Sequence, residues 1–393
     1  NVAVGDEAGA ETTTGTDNTF MGGKAGQANT TGQFNVYVGT DAGEALTVGS
    51  SNVVVGRGAL EQDTKGSKTV AIGQGTLNAQ NFTTATDTYN TAVGHNAGVA
   101  VTTGVQNTLI GSQVGDALTD ADFNTAIGYL ALSTDTLGSK STAIGYAALK
   151  DQNFTTATDS FNVAVGHLAA ENITTGILNT IVGAQAGDAL TDADRNVAVG
   201  YAALGSDTLG SRSTALGYAT LSNQNLTTAT NALNVAVGYD AGKSVTTGTQ
   251  NTIVGSNAGD AITDGSANSC FGMEAGSNIT GGSNIMCLGH DSGLTGSPGG
   301  NITTASNTMV LGDENISAAH IQVALTVASD ERDKTDFVDL DLGLDFVKAL
   351  EPVTYYWDKR SKYGDKTAEE YDLNAQTPDG THKEDWMDVG FKA

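Results

Sequence analysis

Proline is nearly absent, with 3 residues in 393, and aromatic residues make up only 6% of the chain. Glycine, by contrast, occurs 51 times, which is too often for a helix bundle, and its spacing is too regular for disorder. Basic residues are few: 18 Lys and Arg face 44 Asp and Glu, a net charge of −26. Phosphate backbones would repel such a surface, so nucleic acid is excluded as a partner. No run of about 18 apolar residues occurs, which leaves no segment for membrane insertion. Neither an initiator Met nor a signal peptide opens the chain. It begins inside a repeat, so an N-terminal part is expected to precede it. The two cysteines, Cys270 and Cys287, lie one repeat apart in equivalent slots. Stacked coils would hold them at about 4.8 Å, somewhat wide for a disulfide, so both are expected as buried free thiols.

What is present is a repeat. The pattern Asn-x-apolar-x-Gly opens the chain as Asn1-Val2-Ala3-Val4-Gly5. Its closing glycines stand at 5, 22, 39, 56, 73, 94, 111, 128, 145, 166, 183, 200, 217, 238, 255, 272, 289 and 312. Gaps of 17 dominate; gaps of 21 begin at Gly73, Gly145 and Gly217, and the last gap is 23. A second, longer period, made of one gap of 21 and three of 17, therefore overlies the first. A fixed short period is the mark of a solenoid, which grows in one dimension and overrides the domain count that length suggests.

Each repeat reads as a short strand before its glycine. The residue just before Gly is large and apolar (Val4, Met21, Ile72, Ile110, Ile127, Phe271), and the residue three before it is mostly Val or Thr. Alternation places these two on one face, which is assigned here to the inside of the coil. The slot between them is mostly Ala, with Leu109, Ile181 and Ile253 at matching points of the longer period. A strand apolar on both faces wants a second partner, which points to an oligomer of identical chains. Asn stands four before Gly in 13 of the 18 repeats, and Thr69, Ser141 and Ser213 replace it with a hydroxyl. These side chains can fix the turn before the strand, and stacked Asn residues can bond one another. A second short strand is expected after Gly, followed by Gly98, Gly115, Gly187 or Gly242, or by Leu132, Leu149, Leu204 or Leu221. Eighteen coils at roughly 4.8 Å each would make a rod of about 85 Å.

The repeats Asn90-Thr91-Ala92-Val93-Gly94 and Asn162-Val163-Ala164-Val165-Gly166 resemble the head repeats of trimeric autotransporter adhesins, and more closely the repeats of bacteriophage tail fibres. The resemblance implies a mainly β fold, a trimer of β-rolls or β-solenoids with three-fold symmetry. The period is longer than is usual in adhesin heads.

Two sets of side chains within the repeats are candidate sites. Asp116, Asp120 and Asp122 recur one long period later as Asp188, Asp192 and Asp194. Clustered carboxylates could hold calcium, although the spacing matches no calcium loop and Asp is common in solvated turns. No other cofactor is implied. Tyr129, Tyr146, Tyr201, Tyr218 and Tyr239 all follow a repeat Gly, and His95 and His167 take the same slot. Stacked coils would align them into an aromatic ladder able to bind sugar rings; the plain alternative is a turn side chain covering its neighbour.

Composition changes after Gly312. Residues 329–393 hold 26 charged residues, against 36 in the first 328. Leu342, Phe346, Val347 and Leu350 have helical spacing, stopped by Pro352, and Val353–Trp357 reads as a strand. The chain thus divides into a repeat region, 1–316, a linker, 317–328, and a small α+β module, 329–393. That module opens with Ala328-Ser329-Asp330-Glu331-Arg332-Asp333-Lys334, runs through Gly343–Trp357 and ends with Val389-Gly390-Phe391-Lys392-Ala393. It resembles the endosialidase-type intramolecular chaperone found at the C-termini of phage fibres and tailspikes, and looks truncated at Ala393. The resemblance implies a domain that assembles three chains and then cuts itself off. Carried over by position, Ser329 would be the nucleophile, Lys334 its base and Ala328–Ser329 the scissile bond. A Lys can serve a Ser in this way when burial lowers its pKa.

The resulting expectation is a virion structural protein: a homotrimeric tail fibre that contacts other tail proteins and adheres to a host-surface glycan or protein receptor. Its one enzymatic act would be a single-turnover self-cleavage. A cellular surface adhesin of the autotransporter type is the alternative. A polysaccharide depolymerase is the third reading, for which no inserted domain with paired carboxylates is found.

Overall fold

In the computed structural model, residues 1–320 are described continuously; beyond them the described residues are 352–359, 362–364, 375–383, 385 and 387–391. The chain divides into two compact units, Asn1–Ala319 and His320–Ala393.

The first unit is a parallel β-solenoid. A three-residue strand precedes each repeat glycine from Val2–Val4 to Ser269–Phe271, and the last two, Ile285–Leu288 and Thr308–Leu311, have four residues. Together they form one 18-stranded sheet. Each coil pairs in register with the next: Thr125 lies opposite Thr142, Ala126 opposite Ala143 and Ile127 opposite Ile144. Register also survives the longer step, where Thr142 faces Val163. The four extra residues are absorbed away from the strand. There they build a short second ladder, Gly138–Ser139 with Thr158–Asp159, which recurs at Gly66–Ser67 with Thr86–Asp87 and at Gly210–Ser211 with Thr230–Asn231.

Two expectations about the coil are corrected. The segment after each glycine is a run of turns, not a second strand. Residues there adopt left-handed backbone, as at Gln113 (φ 52°) and Ala147 (φ 51°), which breaks a strand ladder. The run still bonds between coils, as when the Gly98 N–H donates to the Val114 carbonyl at 2.9 Å. The face assignment is also reversed. The strand centre points inward, so Phe20, Ala126, Leu109 and Ile181 are fully buried, whereas Ile72 and Ile110, just before glycine, remain 36% and 37% exposed. The coil interior is narrow and takes one side chain from each strand. Alternation then sends both flanking residues outward.

Volume is balanced within a coil or between neighbouring coils, as where Gly98 beside Ala92 faces Leu77 and Leu109. Where the strand centre is large, as Leu109, the fourth residue after glycine is Gly115, and Leu118 fills the remaining space. A side chain on Gly115 would meet both leucines, and its φ is 52°. Where the centre is Ala126, Leu132 takes that fourth place with a similar backbone (φ 54°), and the seventh place becomes Asp135. Large-with-small pairing of this kind keeps a narrow core filled.

Polar ladders hold the coils in register. Asn35 Oδ1 accepts the Asn52 N–H at 2.9 Å, and its Nδ2 donates to the Gly49 carbonyl at 2.9 Å. Both partners belong to the next coil, so the recurring geometry is an inter-coil clamp more than a local turn lock. The Asn column lapses at Ser141, and a buried network takes over. Asp135 accepts from the Gly138 N–H (3.0 Å), the Phe154 N–H (3.0 Å) and Gln152 Nε2 (2.6 Å). Gln152 Oε1 accepts in turn from Asn162 Nδ2 at 2.9 Å. The same chain of contacts appears at Asp63–Gln80–Asn90 and at Asp207–Gln224–Asn234. Cys270 and Cys287 face each other in the strand-centre column as buried free thiols. Their mutual hydrogen bond and burial hold the Cys270 thiol above its ordinary pKa.

In the second unit, Pro352–Tyr356 pairs antiparallel with Met387–Phe391. This matches the strand read at Val353–Trp357, shifted by one residue. The helix expected through Leu342–Leu350 lies outside the described residues. Among the described residues no helix is long and apolar enough to cross a membrane.

Candidate functional site

The outward residues of the sheet form a continuous apolar stripe. Two columns flank the buried centre, one of Val and Thr and one of Val and Ile. Val53, Ile72, Ile110, Val199, Val235 and Phe271 stay 36–38% exposed along it. Beside the stripe runs a third column, five residues before each glycine, in left-handed backbone. Phe34, Tyr89, Phe123 and Phe161 occupy it at 47–59% exposure. Left-handed backbone is costly for bulky residues, and here it aims large apolar groups into solvent. Basic residues in this column pack on the rings that follow them: Lys68 Nζ lies 5.0 Å from the Tyr89 ring centroid, and Lys140 Nζ 5.2 Å from that of Phe161.

The five tyrosines read as a ladder do align, in two groups. Tyr129 and Tyr146 stand 5.9 Å apart at 35°, and Tyr146 stacks on His167 at 5.0 Å and 13°. Tyr201 stacks on Tyr218 at 5.3 Å, and Tyr218 on Tyr239 at 5.2 Å. All five tyrosines are 46–54% exposed. Stacking turns the faces of the inner rings toward one another, so only edges and hydroxyls meet solvent along most of the ladder. His95, in the same row, has Ser112 as its successor and takes no part in either stack.

The acidic turns are arranged differently from a metal cage. Asp120 accepts the Thr103 hydroxyl at 2.7 Å, and Asp122 accepts the Val105 N–H at 2.8 Å, both one coil back. Asp192 and Asp194 repeat this on Thr175 and Ile177 at 2.7 and 2.8 Å. Asp116 and Asp188 belong to the turn run instead, where burial raises both carboxyls above the usual range. Among the described residues, the three-ligand group that could hold a metal ion is His290, Asp291 and Asp313. His290 Nδ1 lies 3.2 Å from an Asp291 oxygen and 3.5 Å from an Asp313 oxygen. Bonds from the Asn315 side chain and N–H hold the Asp313 carboxyl below its ordinary value. The sequence reading missed this group; its signal was a His and an Asp following consecutive repeat glycines.

In the C-terminal unit, both Asp358 oxygens lie 2.8 Å from the Tyr363 hydroxyl, and one accepts the Gly380 N–H at 2.7 Å. Tyr355 and Trp357 meet edge to face at 5.4 Å. Ser329, Lys334 and the Ala328–Ser329 bond lie outside the described residues. Residues 329–377 match the family described as chaperone of endosialidase. The C-terminal module is of the endosialidase-chaperone type. The match begins at Ser329 and includes Lys334. No curated protein and no solved structure matches the chain. A module of this type behind a β-solenoid suggests a fibre- or adhesin-type protein, and the chaperone type is one associated with trimerisation.

Proposed function

We propose that this chain is the shaft or tip of a homotrimeric bacteriophage tail fibre that adheres to a host-cell surface, with glycan as the receptor class. One observation carries the reading: a chaperone-type module follows a solenoid whose long sheet exposes an unbroken apolar stripe. A stripe of this length is a liability for a lone chain, because exposed apolar surface drives association. Three copies related by a common axis would cover it, and the charged C-terminal module would set their register before the solenoids close. Acidic, solvated turns suit a fibre exposed on a virion.

Cleavage completes the proposal. Ser329 Oγ attacks the Ala328 carbonyl while Lys334, neutral at that moment, takes the hydroxyl proton. The proton passes to the Ser329 nitrogen as the peptide bond breaks and an ester forms. Water then hydrolyses the ester, leaving a new C-terminus at Ala328 and a free Ser329 amine. Once the module departs, the shaft cannot retrace its assembly, and stability becomes a matter of unfolding rate.

The test is the intact subunit mass of the expressed protein beside Ser329→Ala. A wild-type species ending at Ala328, absent from the variant, supports the self-cleaving chaperone. An uncut but trimeric wild type keeps the fibre reading and removes the dyad. An uncut monomer removes both.

A further inference from the structure

The aromatic ladder has one missing rung. In seven consecutive coils the residue after the repeat glycine is Tyr129, Tyr146, His167, Ala184, Tyr201, Tyr218 and Tyr239. His167 has one face against Tyr146, and Tyr201 has one face against Tyr218. Their other faces look along the solenoid toward Ala184, which offers only a methyl group. A coil step is about 4.8 Å, so these two rings stand two steps, or about 10 Å, apart. A ring centred between them would lie about 5 Å from each, inside the range of about 4.5–7 Å for stacked ring pairs. That spacing matches the 5.0–5.3 Å of the occupied stacked rungs.

The surface beside the gap is hollow and polar. A depression of about 240 Å³ is lined by Gln185, Asp188, Ala202, Gly205, Ser206, Ser222 and Asn223. Gln185 directly follows Ala184, and Ala202 directly follows Tyr201, so one end of the hollow begins a residue away from the missing rung, and the rest extends over the following coils to Ser222 and Asn223. Small residues at Ala202 and Gly205 create the space, while amides, hydroxyls and one carboxylate line it. Two exposed ring faces with polar groups to one side suit a flat molecule with an apolar face and a hydroxylated edge. No basic residue lines the hollow, which disfavours an acidic sugar.

We propose that the gap over Ala184 binds one neutral pyranose residue of a surface glycan, stacked between His167 and Tyr201, with its hydroxyls toward Gln185 and Asp188. The proposal rests on the glycan-adhesion reading above and gives it a location. It also differs from binding along the ladder, where the ring faces are already covered.

The decisive variant is Ala184→Tyr, which completes the ladder. Tyr stands in this slot in five other coils, so the substitution fits the fold. Ala184→Ser is the control, because Ser112 and Ser256 occupy the equivalent slot elsewhere. The full chain and both variants are compared by saturation-transfer NMR with the methyl pyranosides of glucose, galactose, mannose and N-acetylglucosamine, and on a glycan array. At least one pyranoside should be bound by the wild type and Ala184→Ser, and about tenfold or more weakly by Ala184→Tyr, a change worth about 1.4 kcal/mol. Equal binding by Ala184→Tyr overturns the slot, as does silence from every pyranoside with the wild type. The array separates this from the broader reading. A wild-type array signal untouched by Ala184→Tyr removes the slot and leaves glycan adhesion standing. A blank wild-type array removes glycan adhesion, and the slot with it.

Discussion

Asn107 Oδ1 accepts the backbone N–H of Asn124, one coil on, at 2.9 Å. The same side chain donates from Nδ2 to the Ala121 carbonyl at 2.7 Å. One amide thus satisfies two buried backbone groups of the following coil, and it does so without using the strand ladder. Asn107→Ala leaves both unpaired. At about 1–3 kcal/mol for each unsatisfied buried group, the loss should be about 3 kcal/mol by chemical denaturation. Asn107→Asp restores the acceptor but sets a carboxylate against a carbonyl, so it should not rescue. A variant that unfolds with the wild type would show that strand pairing alone sets the register.

The buried acids give a pH dependence of unusual sign. Burial raises the carboxyls of Asp63 and Asp135 above the ordinary 3.8, against the lowering effect of their Gln and backbone donors. A raised acid holds its proton more tightly in the folded chain than in the unfolded one. The stabilisation from that proton is fully present below 3.8 and is lost as pH rises through the folded-state value. Each site can contribute a slope of at most about 1.4 kcal/mol per pH unit. Denaturation midpoints followed upward from pH 3.8 should therefore fall less steeply in Asp63→Asn combined with Asp135→Asn. Those amides face donors, so the midpoint drops at every pH; the flattened slope is the readout. An unchanged slope would mean that the donors offset burial completely.

Gly128 has φ 134°, and a Cβ there would press on the carbonyl carbon and oxygen of Gly145 in the next coil. Both the backbone and the neighbour refuse a side chain, and the neighbour is main chain that cannot swing away. Gly128→Ala should cost upwards of about 3 kcal/mol and appear mainly in insoluble material. A soluble variant with a wild-type melting temperature would mean that the coil spacing is soft.

The outward stripe predicts a separation of folding from assembly. Ile127→Lys with Ile144→Lys places two charges side by side on the outer face, where the pair lies in register. Neither side chain contributes to the coil interior. Light scattering after size exclusion should show the proposed trimer reduced to single chains, while circular dichroism keeps its β signature. Retention of the trimer would put the interface on another face.

Much of this solenoid is legible in the sequence because its periodicity is set by backbone geometry. The glycines, the longer super-period and the strand before each glycine all follow from coil repeats that tolerate little variation. The inside of the coil is not legible in the same way. Ile127 is larger than Ala126, and size alone suggests that the larger residue is buried. Burial is decided instead by the width of the coil, which admits one residue of each three-residue strand and chooses the centre. The Asp135–Gln152–Asn162 chain is written in the same long period as Ser141, but a polar residue in a turn-rich sequence reads as solvated. The tyrosines are visible as a row; that their faces cover one another depends on side-chain direction, which spacing does not carry. His290 and Asp313 are hidden by the lengthened last gap, which masks their common position.

The super-period also bears on how such a chain changes length. Between Gly73 and Gly145, one long coil and three short ones return the strand centre, Ala71 to Ala143, and the hydroxyl that replaces Asn, Thr69 to Ser141, to their starting residue types. The Asp–Gln network, the short second ladder and the Asn column all restart together. Duplication or loss of one such block joins matching ends, with no coil out of phase and no buried carboxylate stranded. Each block would lengthen or shorten the solenoid by about 19 Å, four coil steps, while the core and the outward stripe run on unbroken.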